Sequence, residues 1–477
     1  MKYGYTVKRA GLTARTGCSR QFSLTGGTVS GFLDVALLCI ILICAVPGAG
    51  IAAEVRTISL EQALKLALEK NHDIEKAREY ANYVQGKYLE ERAAALPQLS
   101  LNGSAVIARD ESQKLFPGAD AEQYTRTLDL TLSQPLYTWG RVRAAIRAAE
   151  VGLKTADEQL RIYRQAALRD VTIAFYDILL AKELHLLSLE NLQQKRRHQD
   201  EAQRRFDAGV ATDYDVLAAD VAVQNARPVV IRTENSIKTA QERLSFLLAL
   251  GGGELNAAGT LDVAPGPLES YAEALSRART RRPDLADLRY RINIYNELVT
   301  IAEAENKPRL DLKGGLGWHH LDTTGLKADG AAWSVGVYLT FPFFDGFRTD
   351  GRVQQARNDL RNREIEEAKL LDSFALEVRT AVNGVRESAE ILSALTGTVR
   401  QAERLLEMAE KGFEYGVKIR LEVDDAQVNL LQAKINLARA RRDYLVTRAT
   451  LDWTEGIIGE TGDDGWKAAK AESRINP

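Results

Sequence analysis

The sequence predicts an α+β chain in which one unit, long coiled-coil helices plus a pair of short strands, is built twice. Three observations carry this. Blocks of sequence recur in the same order: 60–64 (LEQAL) with 271–275 (YAEAL), 72–77 (HDIEKA) with 283–288 (PDLADL), 96–101 (LPQLSL) with 307–312 (KPRLDL), and 140–145 (GRVRAA) with 351–356 (GRVQQA), all shifted by 211. Apolar residues recur every seven positions through two stretches of unusual length. Short segments before those stretches alternate apolar and polar residues. Repeats of this spacing are read before any other feature, because missing them misassigns the fold.

The elements follow in chain order. Residues 1–53 read as a secretory signal peptide. Lys2, Lys8, Arg9, Arg15 and Arg20 give a positive start, 35–46 (VALLCIILICAV) a short apolar run, and 48–54 (GAGIAAE) small residues for cleavage after Ala52 or Ala53. Its removal takes those five positive charges and Asp34, so the formal net charge moves from −2 to −6. Cys18, Cys39 and Cys44 all lie within it, so no disulfide or thiolate metal site is expected afterwards. A first repeat is expected over 54–266 and a second over 267–457, with a polar tail over 458–477. Each repeat opens with a helical stretch of about 35 residues, near 59–94 and 268–305. The Gly- and Pro-rich 251–267 links the two.

Two strands per repeat come next, near 97–109 and 125–136, then near 308–320 and 332–343. Leu128, Leu130 and Leu132 alternate with Asp129, Thr131 and Ser133. Leu310, Leu312, Leu316 and Trp318 oppose Asp311 and Lys313, and Val335, Val337, Leu339 and Phe341 share one side. Period two with one apolar side means a strand, in a soluble sandwich or in a lipid-facing barrel alike. Pro135 and Pro342 close the second strand of each pair, and Tyr137, Trp139, Phe343, Phe344 and Phe347 gather there. Such a cluster is either an aromatic girdle at a membrane interface or a set of buried ring contacts.

The stretch 141–207 contains no proline and spans about 100 Å as a helix. Leu371, Val378, Val385, Leu392, Val399, Leu406 and Phe413 fall seven apart, as do Leu153, Leu160, Ala167, Ala174 and Ala181. Sustained heptads mean coiled-coil packing. Each long helix stops at a related sequence: 206–216 (FDAGVATDYDV) and 413–423 (FEYGVKIRLEV), shifted by 207. The smaller shift is read as four residues lost from the second long helix or its turn. Gly209 and Gly416 sit where a left-handed residue ends a helix. Thr212 and Asp215 then form a capping box for a return helix of about 40 residues. Lys418-Ile419-Arg420 lacks that polar cap.

Four strands per chain cannot close a barrel, and an open edge is not tolerated in lipid. Two chains give eight strands, whose interior is filled by side chains; three give twelve and leave a bore. The helices all leave one end of the strands and would continue the barrel as a tube. The competing reading is a secreted coiled-coil scaffold or adaptor with a small soluble sandwich.

Over about 55–457 the chain resembles the TolC-like outer-membrane efflux proteins. The matching stretches are SLEQAL…LPQLSL, the corners QPLYTWGRV and FPFFDGFRTDGRV, and the two F-x-x-G-V tips. The resemblance implies a homotrimer with a twelve-stranded outer-membrane β-barrel, continued by a periplasmic α-helical barrel. It implies an exit duct of a tripartite efflux or type I secretion system. Its partners would be a periplasmic adaptor, an inner-membrane transporter and outer-membrane lipids. It places adaptor docking at Gly209 with Val210 and at Gly416 with Val417. It places carboxylates at the closed periplasmic entrance, on Glu422 and Asp425, with Asp215 as the aligned acid of the first copy.

No catalytic constellation is expected. His72, His185, His198, His319 and His320 are scattered, and the last two, adjacent on a strand, point to opposite faces. No cofactor, metal or nucleic acid is called for, and net charge −2 offers no basic footprint.

Overall fold

The structure, a computed structural model, describes residues 56–109, 122–251, 255–323 and 326–459. The signal segment read at 1–53, and all but the first two residues of the tail read at 458–477, lie outside these. The first copy runs β1 (Arg56–Ile58), α1 (Leu60–Lys70), α2 (His72–Ala93), β2 (Gln98–Arg109), β3 (Glu122–Tyr137), α3 (Arg141–Asp207) and α4 (Asp213–Leu247). After β4 (Leu255–Ala257), the second runs α5 (Tyr271–Arg281), α6 (Pro283–Glu303), β5 (Arg309–Thr323), β6 (Leu326–Thr340), α7 (Arg348–Glu414) and α8 (Arg420–Thr454).

The opening helical stretch of each copy is two helices, not one. Asn71 ends α1 and starts α2: its Oδ1 accepts from the N–H groups of Asp73 (2.9 Å) and Ile74 (3.3 Å), while its Nδ2 donates to Leu247 O at 2.9 Å. Local hydrogen bonding by a short polar side chain outcompetes the helix there. In the second copy Pro283 makes the break, because the residue before a proline is pushed out of the helical region. Arg282 accordingly has ψ 125.

β2, β3, β5 and β6 form one antiparallel sheet in that order. Its two faces differ in kind. Leu99, Leu101, Leu128, Leu130, Leu132, Leu316, Trp318, Trp333, Val335 and Val337 share one face. Ser100, Asn102, Ser104, Thr127, Asp129, Thr131, Lys313, His319 and Ser334 share the other. On the polar face Ser100 meets Thr131 at 2.6 Å, and His319 Nε2 meets Asp129 Oδ1 at 2.8 Å. His320 turns to the opposite face and bonds Asp329. Among the described residues β2 and β6 each have one edge with no strand beside it.

The four-residue difference between the copies is not in the helix. α3 and α7 both have 67 residues, and α4 and α8 both have 35. From Pro135 and Pro342 onward the shift is already 207. It changes from 211 between the paired strands, where 110–121 joins β2 to β3 but only 324–325 joins β5 to β6. The GRV match is therefore one helical turn out of register: Gly140 precedes α3, whereas Gly351 lies inside α7, and the equivalent of Gly140 is Phe347. Both are left-handed, at φ 83 and 65.

Each copy buries its own core where the short helix crosses the hairpin. Ala63 and Ala67 meet Val171, Phe175, Ile178 and Leu244, beside the parallel β1–β4 pair. Their counterparts Ala274 and Ala278 meet Val378, Val382, Val385 and Leu451. The heptad positions Ala167, Ala174, Ala181, Val378, Val385 and Leu392 are all buried. One pair breaks the likeness. Leu248 and Glu455, related by 207, are both 0% exposed. Glu455 receives Arg277 Nε at 2.6 Å, and Arg277 also pairs with Glu269. Burial pushes the Glu455 carboxyl up, so the ion cluster only partly offsets the desolvation.

Among the described residues the copies join chiefly at β5 on β3, α6 along α3, and α8 along α3. α6 also lies on α7, so it is held on both sides, whereas its counterpart α2 lies along α3 alone. Ile178→Ala and Val385→Ala, at equivalent core positions, are expected to destabilise the protein by about 2–5 and 1–4 kcal/mol, measured as a lowered urea midpoint of the detergent-solubilised protein. A midpoint shift below the resolution of the measurement for either would contradict the core assignment.

Candidate functional site

At the end of the strands nearest the helices, the chain turns through two consecutive left-handed residues in each copy: Trp139 and Gly140 (φ 51 and 83), then Gly346 and Phe347 (φ 69 and 65). A bulky residue with positive φ is strained. Edge-on ring contacts accompany both corners, Tyr137–Trp139 at 5.4 Å and Phe344–Phe347 at 5.8 Å. Side chains at equivalent positions cap the helices. Thr138 Oγ1 accepts from Val142 N–H at 3.3 Å, and Asp345 Oδ2 from Thr349 N–H at 2.9 Å. Tyr137, Trp139, Phe343 and Phe344 are all exposed, Phe343 by 86%.

At the far end, both hairpins turn by the same motif. Gly209 (φ 74) and Gly416 (φ 72) follow the helix ends. Val210 N–H reaches Arg205 O at 2.9 Å, and Val417 N–H reaches Gly412 O at 2.8 Å. This is the bonding of a glycine-ended helix, which satisfies carbonyls the helix leaves unpaired. A Cβ on either glycine would meet nothing within 4 Å, so only φ demands glycine. Val210 and Val417 stand 76% and 79% exposed.

The three acids expected at the entrance separate in the structure. Asp215 and Glu422 are equivalent residues, at the third position of α4 and of α8, and both cap. Asp215 Oδ2 accepts from Thr212 N–H (2.9 Å) and Oγ1 (2.8 Å), and these bonds hold its carboxyl below the usual range. Glu422 is lowered by Lys418 first and then by the Ile419 N–H, which lies 3.0 Å away. Ile419 supplies no side-chain acceptor, so the second cap is half a box. Asp425 is exposed and makes no hydrogen bond or ion pair among the described residues.

Sequence reasoning missed a seam between α3 and α8 just above the tips. Glu201 meets Arg420 at 3.4 Å, and Lys195 faces Asp424 at 3.9 Å. Gln427 Nε2 lies 3.0 Å from His198 Nε2. Arg205 and Arg420 lie over the Phe413 ring at 5.2 and 5.7 Å. These residues come from stretches more than 200 positions apart, so no local pattern announces them. The Asp129–His319 pair was also missed. Its signal was present, since both residues fall on polar positions of alternating strands.

An apolar-faced, polar-backed sheet set on helices of about 100 Å is the architecture of a membrane channel continued by a tunnel. The family of outer membrane efflux proteins matches residues 63–250 and 274–454, one stretch per copy, and the chain belongs to it. TolC of Vibrio cholerae is 25% identical over 383 residues, covering 77% of this chain and 84% of that protein. The alkaline protease secretion protein AprF of Pseudomonas aeruginosa is 27% identical over 386 residues, covering 77% and 78%. The Campylobacter jejuni CmeC outer membrane channel superposes with a TM-score of 0.75 at 18% identity, over 87% of this chain and 89% of that one. The protein is therefore an outer-membrane channel with a periplasmic tunnel, of the efflux and type I secretion class. The soluble scaffold reading falls.

His198 carries a pH prediction. Burial first, then the charge of Arg420, holds its pKa below the ordinary histidine value. Lys195, Glu201, Asp424 and Gln427 are its other polar neighbours. The unfolded chain thus takes the proton more readily than the folded one. The contribution is complete above the ordinary histidine pKa and is lost as pH falls below it. Amide exchange over 192–205 is expected to accelerate through that range, and His198→Gln to remove the step. A step that persists in the variant assigns the effect to another group.

A second prediction concerns the turns. Gly209→Ala and Gly416→Ala are each expected to cost about 1–2 kcal/mol of local stability. Limited proteolysis at 207–213 and 414–420 reads this, and unchanged cleavage rates would show that φ does not require glycine there.

Proposed function

We propose that three chains close into one channel serving as the exit duct between an inner-membrane transporter with its periplasmic adaptor and the cell exterior. The observation that carries this is the set of half-used joints. Repeat symmetry turns β5 on β3 into β2 of the next chain on β6. It turns α6 and α8 on α3 into the next chain's α2 and α4 on α7. Among the described residues of one chain these partners are not in place: β2 and β6 have open edges, and α2 packs along α3 with no comparable packing on α7. Repeating the existing contacts closes a ring with no new kind of interface, and three chains give twelve strands with room for a bore.

The polar face of the sheet lines that bore and the apolar face meets lipid. Tyr137, Trp139, Phe343 and Phe344 form the aromatic girdle at the periplasmic interface. At the tips, Gly209 with Val210 and Gly416 with Val417 receive the adaptor; bare backbone beside an exposed valine admits close approach. Asp425 supplies the free charge of the entrance ring, while Glu422 and Asp215 add charge from positions tied to their own caps. A carboxylate ring at a narrow mouth favours cations. Catalysis has no part in this reading.

Extracted from the outer membrane and run unheated, the protein is expected to migrate at three times the chain mass; a soluble monomer would refute the channel assembly. In single-channel recordings Asp425→Asn is expected to lower cation selectivity, nearly as far as Glu422→Ala/Asp425→Ala together. Unchanged conductance and selectivity in the double variant would sink the entrance ring. Val210→Asp/Val417→Asp is expected to abolish co-purification of the adaptor while the unheated trimer band persists.

A further inference from the structure

On the apolar face, the strands change character together. Reading away from the helices, β3 runs Leu132, Leu130, Leu128, then Arg126; β5 runs Leu316, Trp318, then His320; β6 runs Trp333, Ala331, then Asp329. The helices are periplasmic, so this change of character lies toward the outer leaflet. Above it the charges are paired. Asp329 holds His320, and Trp318 stacks on that imidazole at 5.8 Å. Lys327 Nζ lies 2.9 Å from Asp322 Oδ2, and Glu122 faces Arg109 at 4.0 Å.

Arg126 is the exception. It is exposed and has no hydrogen bond or ion pair among the described residues. It stands level with His320 and Asp329, one outward position beyond Leu128, so no charged residue of β3 lies closer to the hydrocarbon on this face. Its partner across β2 is Ala105, which leaves the space beside it open. Among the described residues each outward acid nearby already has a partner: Asp329 has His320, Asp322 has Lys327 and Glu122 has Arg109. A guanidinium at the edge of the hydrocarbon reaches toward the headgroups. The anion it meets there is the headgroup phosphate, whose geometry its planar fork matches.

We propose that Arg126 is a binding site for the phosphate of an outer-leaflet lipid, with Trp318 and Tyr124 at the same boundary as interfacial anchors. The site faces lipid, not the bore, and is independent of transport and of the entrance. The proposal rests on the outer-membrane orientation of the chain and not on its gate or partners.

Native mass spectrometry of the assembled protein tests this, after incubation with bisphosphorylated lipid A or with its dephosphorylated form in zwitterionic detergent. The wild type is expected to retain lipid A and not the dephosphorylated glycolipid. Arg126→Gln is expected to retain about fivefold less, the effect of one basic residue at a membrane surface. Lys313→Gln, which removes a charge from the bore face, is expected to retain as much as wild type. Should Arg126→Gln fail to assemble, Arg126→Lys keeps the charge, loses the fork, and is expected to fall between the two. Equal retention by wild type and both Arg126 variants overturns the proposal. So does equal binding of the dephosphorylated lipid, which would mean acyl contacts alone. Displacement of lipid A by millimolar inorganic phosphate also overturns it, since the site would then take the free anion.

Discussion

A backbone in hydrocarbon must find every hydrogen bond within protein, and most of this structure is organised around that requirement. The four-stranded sheet meets it internally along β2–β3, β3–β5 and β5–β6 but leaves two edges unmet. Water would satisfy those edges in a soluble sandwich; lipid does not. The chain is thus stable in its membrane only as part of a closed set. In the proposed assembly the duplicated architecture makes closure cheap, because the joint that would close the ring copies one that already exists inside each chain.

The helices answer a different need. They carry no apolar stretch fit for a membrane, and their heptads bury alanines and valines against the neighbouring helix rather than against lipid. Small residues at those positions let long helices run side by side over many turns. The cores at Ile178 and Val385 pin each hairpin to its short helix. Between the pinned middle and the free tips, the two hairpins of a chain are joined by the polar seam of His198, Glu201, Arg420 and Asp424. Such a seam exchanges partners more readily than a packed apolar one.

Much of this was legible in the sequence because the signals were periodic. Repeats gave the duplication, alternation gave the strands and faces, and two glycines with matching neighbours gave the tips. What escaped was decided by single residues acting against a pattern. Asn71 breaks a helix whose apolar spacing continues through it. Glu455 occupies a core position that Leu248 fills in the first copy, held there by Arg277, which also pairs with Glu269. The acids expected at the entrance were grouped by the family resemblance. Capping geometry, invisible in spacing, ties two of them down and leaves Asp425. The position of the four-residue difference was misread because GRV recurs one turn away from its structural equivalent, and a turn-sized slip keeps the same helix face.

That difference between the copies has a bearing on how such chains diverge. It sits in the connection between paired strands, on the cell's outer side, while both long helices keep 67 residues and both return helices 35. Between the copies, length differs at the end of the sheet away from the helices and is equal along the helices. Both hairpins therefore reach equally far from the sheet, and a change of length in the strand connection leaves that reach untouched.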